Sequence, residues 1–425
     1  MRFLSKRRGA AVMLPLVATL SCVAAQAAVN IVPAEVRLLS CGEGVNQLFV
    51  DVTVCDVKER CRTVPDVLVD TGSSGLRLFR PALKGLELEA VTVLHNRPLG
   101  DWVSFGSGEL WATLHWAWVR MGGLETTEAI PIELFDSPSP GESLPAGYGG
   151  FDMRAEPATT VGNGILGIAA RRYHHGRYYM FTGDGGALAQ SDWERVMLDE
   201  SAQLANPIGY FPEPYNNGSV ISLPEVDAGK GQKAAQGWLG FGIGQPTAML
   251  FPEGRRVITH ELDQHGKFPV RLSERPVEVM LDSGSTVIHL DLDPLGFTRH
   301  KSLREFYDPA VLTPVDLTVI SAGQEIKLAR ALQVGPADNV EKADQGYAVL
   351  PMLATWHGPD GVVPGEPEDS LLGLPFFFGR AVATGLQGTV NPFAPRMPQA
   401  APATLPEEGR ERVTHSPNGF VAYTD

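Results

Sequence analysis

A chain of 425 residues, 44% of them hydrophobic, can bury a large core and is long enough for two domains. Its formal charge of −14 repels phosphate backbones and argues against nucleic acid as a partner. Beyond the first twenty residues no apolar stretch is long enough to span a membrane.

Residues 1–27 read as a signal peptide. Arg2, Lys6, Arg7 and Arg8 make a basic start, residues 10–20 an apolar core, and Ala25-Gln26-Ala27 a small-residue cleavage site. Export to the periplasm or beyond is expected. Cys22 invites a lipoprotein reading, but Thr19 stands three positions before it where Leu is usual, so lipidation ranks low. Residues 28–44 form a short lead-in, and 45–208 a first lobe. Cleavage leaves Cys41, Cys55 and Cys61. Cys55 and Cys61 flank the polar turn at 56–60 and can close across a hairpin in an oxidising compartment, or Cys41 pairs with one of them.

An alternating run at 48–54, that turn, and an apolar run predict a hairpin whose second strand ends on Asp70-Thr71-Gly72-Ser73-Ser74. Residues 136–150, rich in Pro and Gly, read as a surface loop. Between 171 and 179 stand Arg171, Arg172, Tyr173, His174, His175, Arg177, Tyr178 and Tyr179. This patch reads as a solvated loop, with secondary substrate contact as the other role, and its adjacent histidines do not make a metal site. Residues 191–203 suit a short helix. Residues 218–223 and 238–243 read as strands that begin a second lobe, over 209–390.

A second hairpin follows: 268–272, a turn at 273–276, and an apolar run ending on Asp282-Ser283-Gly284-Ser285-Thr286. Downstream of the two aspartates lie Gly164-Ile165-Leu166-Gly167-Ile168 and Leu371-Leu372-Gly373-Leu374-Pro375, at similar spacings of 97 and 91 residues to Gly167 and Gly373. Residues 391–417, rich in Pro and Ala without periodicity, read as disordered, and 418–425 as a terminal strand returning to an edge of the second lobe.

Either Asp-hydroxyl-Gly string alone is an ordinary turn sequence. Two of them with matched flanks predict a duplicated lobe and two carboxylates meeting at a pseudo-two-fold axis. Such a pair shares one proton and can serve as acid and base together. The glycines permit a tight turn. The Thr71 and Ser283 hydroxyls can bond across the axis, and those of Ser73 and Ser285 can hold the outer carboxylate oxygens.

On these residues the chain resembles the pepsin-type aspartic peptidases over most of 45–390. The resemblance implies an all-β, bilobal fold of two pseudo-symmetric lobes with the active site at the seam. Asp70 and Asp282 fall on the family's catalytic aspartates, with Thr71, Gly72, Ser73, Ser283, Gly284 and Ser285 as supporting loops. Ile165-Leu166-Gly167 and Leu371-Leu372-Gly373 fall on its hydrophobic-hydrophobic-Gly motifs, and residues 376–380 continue the second. Residues 105–109 and 119–123 resemble its flap hairpin, with Phe105, Gly106, Ser107 and Gly108 at the turn. Phe105 stands where a pepsin has Tyr. Trp111, Trp116 and Trp118 form either a packed hairpin face or an aromatic lid. The strings at 163–167, 239–244, 373–380 and 418–423 are similar, more closely, to a bacterial family of secreted proteins of unknown function.

The implied activity is peptide-bond hydrolysis by a water activated between the aspartates, on a peptide or protein substrate. No cofactor or metal is implied, and the chain is expected to be a monomer. The rival expectation is a pepsin-like scaffold kept as a binding or envelope-assembly module, which Phe105 favours. A third is a peptidase devoted to one exported partner.

Overall fold

The computed structural model describes residues 29–40, 44–105, 108–135, 162–183, 192–273, 275–290, 297–298, 300–321, 324–356, 370–394 and 415–425. The signal segment, Cys41, the loop at 136–150 and the flap residues Gly106 and Ser107 lie outside them.

The hairpins form where apolar alternation places them. Leu48–Cys55 pairs antiparallel with Cys61–Asp70, with Cys55 opposite Cys61 and a register shift between Val50 and Val52. Cys55 and Cys61 form a disulfide. In the turn, the Asp56 carboxylate accepts from the backbone N–H groups of Lys58 (2.9 Å) and Arg60 (3.1 Å) and from Arg60 Nε (2.8 Å). Phe268–Leu272 and Arg275–Leu281 make the second hairpin.

Each aspartate strand then enters the same three-strand weave. Cys61–Asp70 runs parallel to Gly164–Ile168, with Gly167 level with Asp70, and Gly164–Ile168 lies antiparallel to Ser74–Phe79. Correspondingly, Arg275–Leu281 runs parallel to Ser370–Leu372, which lies antiparallel to Ile288–Leu290. A further parallel strand flanks each weave, Ile130–Phe135 in one and Ala354–Trp356 in the other. Parallel strands are covered on both faces, so they read as continuous apolar runs. Every residue of Ser74–Phe79, Ile130–Phe135 and Gly164–Ile168 is buried. The motif glycines are required by contact. A Cβ on Gly167 would lie 2.8 Å from the Ser73 carbonyl, and one on Gly373 2.0 Å from the Val287 carbonyl oxygen.

The architecture is all-β and bilobal. Among the described residues one sheet has 18 strands and another, carrying the Asp282 hairpin, has 7. The halves share a platform. Ile31–Val36 pairs with Ala235–Phe241, then come Gly218–Ser222, Ala381–Gly385, Phe420–Thr424 and Val257–Glu261. The strands expected to begin a second lobe thus join the sheet of the first. One apolar cluster runs through both halves, including Val69 before the first aspartate and Leu281 before the second. Among the described residues no helix is long and apolar enough to cross a membrane.

Three local expectations change. Phe420–Thr424 is an inner strand, not an edge, because it offers buried Phe420 and Tyr423 to the core and pairs on both sides. The span 391–417 is ordered at both ends. The Asn391 amide donates to Thr259 Oγ1 (2.9 Å) and Glu261 Oε1 (3.1 Å), and His415–Ser416 pairs with Thr389–Val390. Residues 395–414 between them lie outside the described residues. In place of a helix at 191–203 there is a strand, Trp193–Arg195, and a short 3-10 turn, Glu200–Ala202. The Trp193 ring meets Trp111 at 4.8 Å and Phe181 at 5.2 Å, and this packing outweighs a weak helical preference.

The inner position of the last strand has a measurable consequence. Phe420→Ala is expected to destabilise the protein by about 3–5 kcal/mol, the usual cost of emptying a fully buried aromatic site. Chemical denaturation measures it, and a cost near zero would mean that the strand does not pack as an inner one.

Candidate active site

The two aspartate loops meet at the seam and hold each other. Thr71 Oγ1 donates to the Leu281 carbonyl (2.8 Å) and accepts from Ser283 N–H (2.9 Å). In mirror fashion, Ser283 Oγ donates to the Val69 carbonyl (2.8 Å) and accepts from Thr71 N–H (3.1 Å). Both residues are buried. Four hydrogen bonds therefore cross the axis directly behind the carboxyl groups, in a place where water cannot replace them.

Each carboxylate is held twice by its own loop. Asp70 Oδ1 accepts from Gly72 N–H (2.7 Å) and Oδ2 from the Ser73 hydroxyl (2.5 Å). Asp282 repeats this with Gly284 N–H (2.9 Å) and the Ser285 hydroxyl (2.6 Å). The two carboxyl groups face each other at the axis, with Asp70 Oδ1 and Asp282 Oδ1 both crowding the space over Gly284. Burial first, and then the charge of Asp70, push the Asp282 carboxyl well above the ordinary carboxylate range. Asp70 is buried, and Asp282 is half-buried at the floor of a cleft of about 870 Å³.

The glycines are needed for a reason other than turn geometry. Neither Gly72 nor Gly284 has a left-handed φ. A Cβ on Gly72 would come within 2.6 Å of Asp282 Oδ1, and one on Gly284 within 2.7 Å of Asp70 Oδ1. Each glycine makes room for the opposite carboxylate.

A third support escaped the sequence reading. Asn46, buried at the start of the first lobe, donates from its amide to the carbonyls of Thr286 and Leu350 (both 2.8 Å) and accepts from Leu350 N–H (2.8 Å). It ties the first lobe to the chain just past Ser285.

The flap is a hairpin of Arg97–Phe105 and Gly108–Met121, with Phe105 opposite Gly108 at the last pair. Phe105 lines the cleft. The tryptophans do not. Trp111 is buried against Tyr179 and Trp193, and a Cβ on Gly100 would lie 2.2 Å from its ring. Trp116 packs on Leu99, Leu114 and Tyr178, and half-buried Trp118 pairs with Cys55 on the hairpin strand. They are a packed face rather than a lid. The patch at 171–179, expected to be solvated, is built into this wall. Arg177 lies over the Trp102 ring at 4.3 Å, donates to the Trp102 carbonyl at 3.2 Å and bonds Ser104 Oγ, pinning the flap base.

Behind the flap is a buried polar group that the motifs do not announce. Arg77 Nε donates to Glu133 Oε2 at 2.7 Å, and both residues are fully buried. Beside them lies buried Asp101, whose Oδ2 is 3.2 Å from His174 Nε2, while Glu133 Oε1 and both Asp101 oxygens lack a hydrogen-bond partner. Burial raises the Asp101 carboxyl, raises Glu133 to about 8 and lowers His174 to about 3. The available signal was a charge inside each of two apolar strands, Arg77 in Ser74–Phe79 and Glu133 in Ile130–Phe135. His174 is thus committed to Asp101 while its neighbour His175 is exposed. Among the described residues no group of three or more His, Cys, Asp or Glu is placed to hold a metal.

Residues 26–400 match the family described as a protein of unknown function (DUF3443), and the chain belongs to that family. No curated protein matches. Among solved structures, the crystal structure of an aspartic proteinase from Irpex lacteus is 14% identical, with a TM-score of 0.47, and the match covers 93% of this chain and 96% of that one.

Thr71→Val keeps the shape of the loop but removes two cross-lobe bonds, and is expected to cost about 1–3 kcal/mol in denaturant unfolding. Because Ser283 belongs to the same network, Ser283→Ala added to it should cost less than the sum of the two single changes. Strict additivity would show two independent loops. A second expectation concerns Glu133. Its folded pKa is raised from 4.5 to about 8, so the stability it confers is complete below the lower value and lost as pH rises through the higher one. Glu133→Gln, which cannot titrate, should show a shallower fall in Tm across that interval. Parallel Tm curves would place the titration elsewhere.

Proposed function

We propose that this chain is an exported aspartic endopeptidase that hydrolyses peptide bonds with a water held between Asp70 and Asp282. The observation that carries the reading is the facing carboxyl pair, fixed from behind by the Thr71–Ser283 bonds and open to a cleft in front. Ion-pair or turn roles would not need two like charges in contact, since that contact is unfavourable unless a proton is shared.

In this scheme the shared proton resides on Asp282 and Asp70 is the base. Asp70 takes a proton from the water as its oxygen attacks the peptide carbonyl carbon, and Asp282 gives its proton to the carbonyl oxygen. The result is a neutral tetrahedral diol. Proton transfer from Asp70 to the amide nitrogen, and return of one hydroxyl proton to Asp282, let the C–N bond break into an acid and an amine. The Ser73 and Ser285 hydroxyls and the two glycine N–H groups hold the carboxylates through both steps.

The basic-apolar leader at 1–27 and the Cys55–Cys61 bond support action outside the cytoplasm, in the periplasm or beyond. The substrate class is a peptide or protein.

Asp70→Asn and Asp282→Asn should each lower turnover by about 10²–10⁴-fold or more, with the fold retained. A variant cutting peptides at the wild-type rate would remove that aspartate from the mechanism, and a folded wild type that binds peptides without cutting them would favour the binding-module reading. The pH profile of kcat should fall on the alkaline side as Asp282 loses its proton, at a pH above the ordinary Asp value of about 3.9. A statine-type inhibitor, whose hydroxyl stands where the water would, should bind competitively. Full activity under saturating inhibitor would count against the scheme.

A further inference from the structure

The two aspartate loops are alike in front but not behind. The Asp70 loop is braced from within its own lobe. The Ser73 carbonyl accepts from Ala169 N–H at 2.9 Å, and Ser74 Oγ donates to the Arg171 carbonyl at 2.9 Å. Buried Asn206 in turn donates from its amide to the Ala169 carbonyl at 3.0 Å and the Arg171 carbonyl at 3.3 Å.

The Asp282 loop is braced from the other half of the molecule. The Ser285 carbonyl accepts from Leu374 N–H at 2.8 Å, but the next carbonyl, that of Thr286, is taken by Asn46, 240 residues away in the chain. Asn46 is fully buried. An amide side chain carries two donors and an acceptor oxygen, and here all are engaged, with Thr286 and with both backbone groups of Leu350. The Asn46 backbone N–H donates to the Ala348 carbonyl at 2.7 Å. Next to it Val45 packs against the cluster of Val287, Leu350, Met352 and Leu353 in the second lobe. Asn46 has a φ of 51°, a left-handed conformation that Asn tolerates better than most side chains.

We infer that Asn46 is a positioning residue for Asp282. By holding the Thr286 carbonyl it fixes the backbone that leaves Ser285, whose hydroxyl holds Asp282 Oδ2 at 2.6 Å. The second carboxyl is therefore set against the first by the lead-in segment docked into the second lobe. Without the Asn46 side chain, the Thr286 carbonyl and the Leu350 N–H lose the buried partner the structure gives them, and the loop shifts to find others. A displacement of about 1 Å at a catalytic group is enough to slow turnover about a hundredfold. This role rests on the peptidase reading for its effect on turnover and deepens it by naming what keeps one member of the dyad in place. Asn46 touches neither water nor substrate in that scheme and is not a catalytic residue.

The test uses the mature chain and Asn46→Gly, which removes the side chain and keeps the left-handed backbone without strain. With a peptide substrate kcat should fall about ten- to a hundredfold while KM stays within about threefold of wild type. In NMR with isotope-labelled aspartate, the Asp282 carboxyl should titrate closer to the ordinary value of about 3.9 than it does in wild type, because the loosened loop relaxes its contact with Asp70. Asn391→Ala is the control. Its buried amide also donates to two oxygens, but on the platform, so both readouts should stay at the wild-type values. Should Asn46→Gly fail to fold, Asn46→Asp is the second variant. Ionised, it turns oxygens towards two carbonyls. Protonated, it regains one donor, so its deficit in kcat should shrink as pH falls. A folded Asn46→Gly with kcat and Asp282 titration unchanged, losses no greater than those of Asn391→Ala, or an Asn46→Asp deficit that does not vary with pH overturns the inference and leaves the peptidase reading standing. A shifted Asp282 titration in Asn46→Gly, with no cleavage by wild type, keeps Asn46 as the support of Asp282 and removes the peptidase reading.

Discussion

Two carboxyl groups in contact repel each other once both ionise, and that contact between Asp70 and Asp282 sets the terms for its surroundings. It persists because neither loop can retreat alone. Thr71 and Ser283 each donate to the opposite strand and accept from the opposite loop, so separating the carboxyls would break four buried bonds together. The glycines remove the steric obstacle, and the Ser73 and Ser285 hydroxyls bond one oxygen of each carboxylate.

The wider fold keeps this junction stiff. Both aspartates end strands that run parallel to a buried neighbour, so a shift of either would disturb pairing on two sides. The shared platform and Asn46 join the halves away from the cleft. The C-terminal strand closes the platform between two others, so the last residues of the chain belong to the same core as the first lobe. Rigidity of this kind holds the two carboxyl groups in a contact that side chains would otherwise avoid.

The wall opposite shows a different economy. Burying Arg77, Glu133 and Asp101 together, with half-buried His174 beside them, is unfavourable compared with an apolar filling of the same space, because three charged side chains lose their water. The cluster pairs Arg77 with Glu133 but leaves Arg77 Nη2, Glu133 Oε1 and both Asp101 oxygens without a hydrogen-bond partner. With Phe105 above it and Arg177 pinning the flap base, the charged wall and the flap form one unit. The tryptophans stabilise that unit from its far side and take no part in the cleft.

The duplicated strings at Asp70 and Asp282, their hairpins, and the apolar-Gly motifs at 165–167 and 371–373 were legible because they depend on local rules: alternation, turns and residue types that act through near neighbours. From those alone came the duplicated, two-lobed design and the hydroxyls that hold the carboxylates. Other features depend on contacts between residues far apart in sequence, for which no local rule exists. The Glu133 partner of Arg77, the hold of Asn46 on Thr286, the inner place of Phe420–Thr424 and the strand at Trp193–Arg195 all belong there. Gly72 was legible as a glycine, but the carboxylate that forbids it a side chain lies 210 residues away. The sequence by itself determined which residues could form a dyad. Only the tertiary structure decided what stands beside it, because a charge in an apolar strand shows its partner only when the strands are packed.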